Sequence, residues 1–77
     1  MPRIHSFGHF NAYIYADDHN PPHFHVVGKG WSAMVDIRNL QLVAGRMPAR
    51  NWPTVIRWAT GNRALLLSKW NELNERD

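Results

Sequence analysis

The segment HFHVVGKGWSAMVDIR, residues 23–38, contains two runs of alternating apolar and polar residues on either side of a glycine-rich turn. The first run covers His23–Val27, the turn is Gly28–Gly30, and the second run covers Trp31–Arg38. Alternation with a period of two is typical of half-buried strands, and a short glycine-containing connection favours antiparallel pairing. The segment therefore predicts a β-hairpin with one apolar face and one polar face.

The residues on both sides of this hairpin extend the sheet. Phe10–Asp17 alternates in the same way and predicts a preceding strand, while Asp17–Pro22, with its aspartates, asparagine and prolines, predicts a turn. Leu40–Val43 predicts a short fourth strand that ends before Gly45. Because short connections favour pairing between neighbouring strands, we expect a three- to four-stranded antiparallel meander.

The C-terminal part predicts two helices packed on one face of that sheet. Pro53 fits a first helical turn, with Asn51 as the N-cap. Gly61 is expected to end the first helix in a left-handed conformation, and Asn62 to cap the second. Residues after Leu73 are expected to fray. The sequence thus predicts an α+β fold with residues 1–77 as a single domain.

The composition limits the environment and the chemistry. The chain has 77 residues and no cysteine, so thiolate ligands and disulfides are excluded. No apolar run reaches the roughly 20 residues that span a bilayer, and the first residues do not resemble a signal peptide. We therefore expect a cytoplasmic protein with no membrane partner.

The charged residues are unevenly distributed. The formal net charge is +3, and no acidic residue occurs from Ile37 to Asn71. Such a basic stretch is typical of a surface that contacts phosphates, so RNA or DNA is an expected partner. An ordinary solvated surface, or one that binds an acidic protein, fits the same pattern. The predicted nucleic-acid-binding residues are Arg46, Arg50, Arg57, Arg63 and Lys29.

All five histidines lie in the first 25 residues. His23 and His25 are two residues apart on a predicted strand, so their side chains are expected on the same face. One interpretation is a divalent metal site, for example for zinc, formed by these two histidines and His19. Asp17 or Asp18 would complete its ligands.

Two other interpretations of the histidines remain open. In the first, His23 and His25 are the base and acid of a metal-free RNA cleavage reaction, supported by His19 and by Asp36 or Tyr15. The hairpin turn places His23 near Asp36, which is why Asp36 joins the predicted catalytic residues. In the second, the histidines have a structural role and brace the proline-rich turn.

The run Asp18–His25, DHNPPHFH, resembles the signature of a family of small bacterial proteins, the domain of unknown function 4160 family. The pair Asp36–Ile37 and the runs IRWA at 56–59 and LLLSKWN at 65–71 are similar to further motifs of that family. Asn51–Pro53 departs from its smoother helix-forming run. The resemblance implies a bacterial protein encoded beside a second short protein in a toxin–antitoxin-like pair, and it transfers no catalytic role.

Together these observations lead to one functional hypothesis and two alternatives. The hypothesis is a component of a toxin–antitoxin-type pair that binds or cleaves nucleic acid, most simply RNA. The alternatives are a non-enzymatic module that binds a small cognate partner protein, and a divalent-metal-binding protein that uses the histidines.

Overall fold

A computed structural model describes residues 3–74 as a five-stranded antiparallel sheet followed by two helices. The strands are β1 (Arg3–Ser6), β2 (Asn11–Tyr13), β3 (His23–Gly28), β4 (Trp31–Asp36) and β5 (Leu42–Gly45). A 3-10 turn precedes the helices α1 (Trp52–Gly61) and α2 (Arg63–Asn74). The spatial order is β1-β2-β3-β4-β5, which confirms the α+β class and the meander.

The β3–β4 hairpin is the centre of the sheet. Its register runs from the His23–Asp36 pair to the Gly28–Trp31 pair, which leaves Lys29 and Gly30 as the connecting loop. Gly30 has a φ of 79°, a left-handed conformation that glycine adopts without steric cost. The alternation predicted for both strands is confirmed.

The predicted strand count was too low, because β1 was not recognised. In β1 only Ile4 is apolar, and its neighbours are exposed, so the strand has no alternating pattern. It is held instead by backbone pairing with β2 along one edge of the sheet, with an irregularity in register between Arg3 and His5. The second strand is also shorter than predicted, because β2 ends at Tyr13 and the chain then leaves the ladder.

The helices and the sheet share one apolar core. Both helices contribute fully or almost fully buried side chains to it, and so do the three central strands. The helical members are Val55, Ala59, Leu66 and Trp70. The largest members from the strands are Phe24, Val26 and Val35. Within residues 3–74, neither helix has the length and apolar character that a transmembrane helix requires.

The helix ends differ in detail from the predictions. Asn51 precedes α1 as its N-cap residue, but its side chain makes no capping hydrogen bond. Gly61 is the last residue of α1 and is not in the left-handed region. Asn62 instead separates the helices: its side chain donates to the Trp58 carbonyl at 2.8 Å, and its own carbonyl accepts from the Leu66 N–H.

Candidate functional site

The loop between β2 and β3 places the side chain of Asp18 next to His23 and His25 of β3. Asp17 has a φ of 59°, in the left-handed region that aspartate tolerates better than most residues. The side chain of Asn74, at the end of α2, then fixes the loop from the other side. Its amide donates to the Tyr15 carbonyl at 3.0 Å and its oxygen accepts from the Asp18 N–H. The position of Asp18 is thus set by both the loop and the last residue of α2.

The Asp18 carboxylate is the centre of the cluster. Its Oδ2 atom lies 3.0 Å from His23 Nε2 and 3.1 Å from His25 Nε2. Its Oδ1 atom accepts the backbone N–H of His19 at 2.9 Å. Burial raises the pKa of Asp18, but the hydrogen bonds from His25 and His19 and the neighbouring His23 outweigh it, so the net pKa is lowered. Asp18 is therefore an anion at neutral pH.

His23 is fully buried and both of its ring nitrogens have partners. Its Nδ1 atom lies 2.7 Å from the Pro21 carbonyl oxygen, and its ring centre lies 5.0 Å from that of Trp70. A carbonyl oxygen can only accept, so Nδ1 must carry a proton. In a neutral ring Nε2 would then present a lone pair to an ionised carboxylate oxygen. A cation, either a second proton or a metal ion, is needed between His23 and Asp18.

His25 connects the cluster to the face of the sheet that lies opposite the core. Its side chain is 20% exposed. It also lines an open cleft of about 280 Å³ together with Met34 and Ala44. The Tyr15 ring lies 4.6 Å from the His25 ring. Burial, with smaller contributions from Tyr13 and Asp18, raises the pKa of Tyr15, so its hydroxyl stays protonated at neutral pH. Of the two β3 histidines, only His25 can meet a ligand from solvent.

Asp18, His23 and His25 form a group that could hold a metal ion. One ligand atom from each residue lies within 4.8 Å of the other two. Ligand atoms around a tetrahedral zinc ion are about 3.3 Å apart. The separations of Asp18 Oδ2 from the two Nε2 atoms, 3.0 and 3.1 Å, are close to that value. The Nδ1–H of His23 on a backbone carbonyl is also the usual outer contact of a metal-binding histidine.

The remaining residues predicted for the catalytic or metal site lie at its edge or outside it. His19 has a 77% exposed side chain, whose Nδ1 lies 3.1 Å from Asp18 Oδ1, and it is not part of the metal-compatible group. Asp36 pairs with His23 in the sheet, as predicted. However, its carboxylate accepts the backbone N–H groups of Arg38 and Asn39 at 2.7 and 3.1 Å and thereby closes a turn.

The predicted nucleic-acid-binding residues are all exposed, and two of them line one cleft. Lys29 and Arg50 line the same depression in the surface. Arg46, Arg57 and Arg63 do not line it. Among residues 3–74, none of these five side chains forms an ion pair. Lys69 does form one, with Glu72 at 3.2 Å.

Two features of the site were not identified from the sequence. The first is the central position of Asp18, which was one of two candidate carboxylates in the loop. The HxH spacing with a preceding aspartate was the available signal, but it does not distinguish Asp17 from Asp18. The second is the hydrogen bond by which Asn74 fixes the backbone of Asp18. The sequence carries no local signal for it, because the two residues are 56 positions apart.

Comparison with known proteins identifies the family. The model of the family described as Domain of unknown function (DUF4160) matches residues 10–71, which confirms the resemblance seen in the signature. The matched range contains the whole cluster of Asp18, His23 and His25. No curated protein and no solved structure matches the chain.

Proposed function

The chain belongs to the DUF4160 family, and we propose that it binds a divalent metal ion through Asp18, His23 and His25. The ligand atoms are Asp18 Oδ2 and the Nε2 atoms of the two histidines. Two imidazoles with one carboxylate are a ligand set of catalytic zinc sites, in which three protein ligands leave a fourth position for water or substrate. A zinc ion held by these three residues would supply Lewis-acid chemistry, polarising a phosphoryl oxygen or lowering the pKa of a bound water.

The contact between His23 Nδ1 and the Pro21 carbonyl carries this proposal. It fixes the proton on Nδ1 and directs the Nε2 lone pair towards Asp18 Oδ2, 3.0 Å away. His25 Nε2 converges on the same oxygen atom. One added proton on His23 would satisfy that pair, with neutral His25 donating its Nε2–H to the same oxygen, whereas a metal ion would be bound by both imidazole lone pairs and the carboxylate together.

The alternative with His23 and His25 as a metal-free acid–base pair is less compatible with this geometry. General acid–base catalysis requires each side chain to reach the reacting proton, directly or through one water. His23 has no exposed surface, and both of its nitrogens contact protein atoms. His25 alone is accessible, so a reaction at this surface would use one exposed histidine beside a bound metal ion.

Metal titration of tag-free protein tests the proposal. Wild type should bind one equivalent of Zn²⁺ in calorimetry, and Co²⁺ should give the visible absorption of a tetrahedral site. Asp18→Asn and His25→Ala should each weaken binding by at least about tenfold, since loss of even an outer-shell partner has effects of that size. His9→Ala, at an exposed histidine outside the cluster, is the matched control and should bind like wild type.

His19→Ala removes an exposed ring whose Nδ1 lies 3.1 Å from Asp18 Oδ1 but keeps the backbone N–H that donates to the same oxygen, so its metal affinity should fall less than that of His25→Ala. Loss of binding in His19→Ala equal to that in His25→Ala would replace the proposed ligand set. Wild-type protein that takes up no stoichiometric metal would overturn the proposal and leave a proton between His23 and Asp18.

We further propose that the protein binds nucleic acid, most simply RNA, as one component of a bacterial toxin–antitoxin-type pair in the cytoplasm. Support comes from the exposed arginines in the stretch from Ile37 to Asn71, which has no acidic residue, from exposed Lys29, and from the resemblance described above. Gel-shift and cleavage assays on cellular RNA, with and without EDTA, test this. Copurification of a small acidic protein combined with indifference to RNA would favour the protein-binding alternative instead.

A further inference from the structure

A second site lies beside the β3–β4 loop, in a cleft of about 280 Å³. The hairpin loop, the residues before β2 and the 3-10 turn before α1 together form its walls. Its lining residues combine cations, aromatic rings and an amide, and none of them is acidic: His9, Phe10, Lys29, Trp31, Arg50 and Asn51. The cleft therefore has the composition of a site for an anion attached to a planar group.

The aromatic wall is rigid. Trp31 packs so closely on the backbone of Gly28 that a Cβ atom there would overlap the indole ring. The indole also makes a tilted contact with Phe10, with ring centres 5.5 Å apart, and Phe10 stacks on Phe7 at 4.8 Å. The orientation of the Trp31 ring is thus fixed in the absence of a ligand, so binding costs little side-chain entropy.

The positive charge of the cleft comes from two separate elements. Lys29 lies in the hairpin loop, and Arg50 lies in the 3-10 turn that begins after β5. Both side chains are exposed, and neither takes part in an ion pair among the residues that the structure describes. A cleft lined by an aromatic ring and by two cations that have no ion-pair partner among the described residues is suited to one phosphate group and one base.

We infer that this cleft binds one nucleotide unit of a single-stranded nucleic acid, with its base on Trp31 and its phosphate between Lys29 and Arg50. The inference rests on the nucleic-acid part of the proposed function and does not involve the metal site. A single strand fits better than a duplex, because a base can stack on Trp31 only when its face is not covered by the neighbouring base pairs of a duplex. The volume of the cleft is at the lower end for ligand sites, which suits one nucleotide unit.

Fluorescence anisotropy with a labelled single-stranded RNA of about 12 nucleotides, a length within the range covered by small binding domains, tests this inference. EDTA in the buffer excludes any contribution from metal. Lys29→Ala and Arg50→Ala should each weaken binding several-fold and reduce the slope of log K against log salt concentration by about 0.7. Trp31→Leu should weaken binding roughly five- to a hundredfold, and Trp31→Phe should restore most of the affinity.

Arg38→Ala is the matched control, since Arg38 is an exposed arginine outside the cleft. It should bind RNA like wild type, and a duplex of the same sequence or a free mononucleotide should bind more weakly than the single strand. If Lys29→Ala and Arg50→Ala match Arg38→Ala while wild type binds RNA, the cleft is not the site but the proposed function stands. If wild type binds no nucleic acid, both are wrong, and the metal titration is unaffected.

Discussion

Asn74, the last residue of α2, accepts a hydrogen bond from the backbone N–H of Asp18, 56 residues earlier, at 2.6 Å. The same side chain donates to the Tyr15 carbonyl. The C-terminal helix therefore positions the carboxylate of the candidate metal site, although none of its residues is a ligand. Folding of α2 and formation of the site are coupled through this amide and through Trp70, whose ring packs on that of His23.

The first prediction concerns this amide. Asn74→Ala should lower the free energy of unfolding by about 1–3 kcal/mol, because it leaves the partly buried Asp18 N–H and Tyr15 carbonyl without their partner. Zn²⁺ affinity should also fall, since the Asp18 loop is no longer fixed. Thermal denaturation and calorimetry measure both effects. Asn71→Ala, at an exposed position of the same helix, is the control, and equal behaviour of the two variants would contradict the coupling.

The second prediction separates the two histidine ligands. His23→Gln should abolish stoichiometric Zn²⁺ binding and also cost about 2–4 kcal/mol of stability, because the ring is fully buried with partners on both nitrogens. His25→Gln should lose metal binding at a cost below about 1 kcal/mol, since its side chain is partly exposed. Chemical denaturation of the metal-free proteins measures the difference. If the two substitutions lower the free energy of unfolding equally, the buried contacts of His23 contribute less to stability than expected.

The third prediction concerns Asp36. Its carboxylate accepts two backbone N–H groups of a turn, so Asp36→Ala should reduce stability by about 1 kcal/mol. Asp36→Asn keeps an accepting oxygen and should be close to wild type. Both variants should retain full Zn²⁺ affinity. Loss of metal binding in Asp36→Asn would instead place this residue in the metal site, a role that differs from the catalytic support predicted from the sequence.

The fourth prediction concerns Gly28. Gly28→Ala introduces a methyl group into the space of the Trp31 indole and should destabilise the protein by about 1–3 kcal/mol. It should also weaken binding of single-stranded RNA, because the ring must move. Gly61→Ala is the matched control: no atom lies within 4 Å of its added Cβ, and it sits at the end of a helix. That variant should be neutral or slightly more stable.

The sequence predicted those features that depend on local patterns. The alternation through residues 23–38 and the glycines of the loop were sufficient for the hairpin, its register and the shared face of His23 and His25. Strand β1 could not be predicted, because an edge strand held by backbone pairing needs no apolar alternation. The left-handed end expected at Gly61 was wrong because Asn62 supplies the helix–helix transition with its side chain.

The candidate site was only partly predictable for a different reason. Spacing along a strand shows that two histidines can meet, but the carboxylate that reaches them comes from a loop. Its direction depends on the conformation of Asp17 and on the bond from Asn74. Asp36 was favoured because strand register is readable from the sequence. Its carboxylate nevertheless accepts hydrogen bonds from the adjacent turn. Strand register shows which residue lies opposite Asp36, but it does not show which hydrogen-bond partner the carboxylate takes.

Strand β3 supplies the core and the candidate site from alternate positions, with Phe24 and Val26 on one side and His23 and His25 on the other. An insertion or deletion of one residue within this strand would exchange the two sets and place imidazole rings among the apolar side chains. Such a chain would lose its fold together with its ligands. Strand β3 can therefore vary by substitution but not in length.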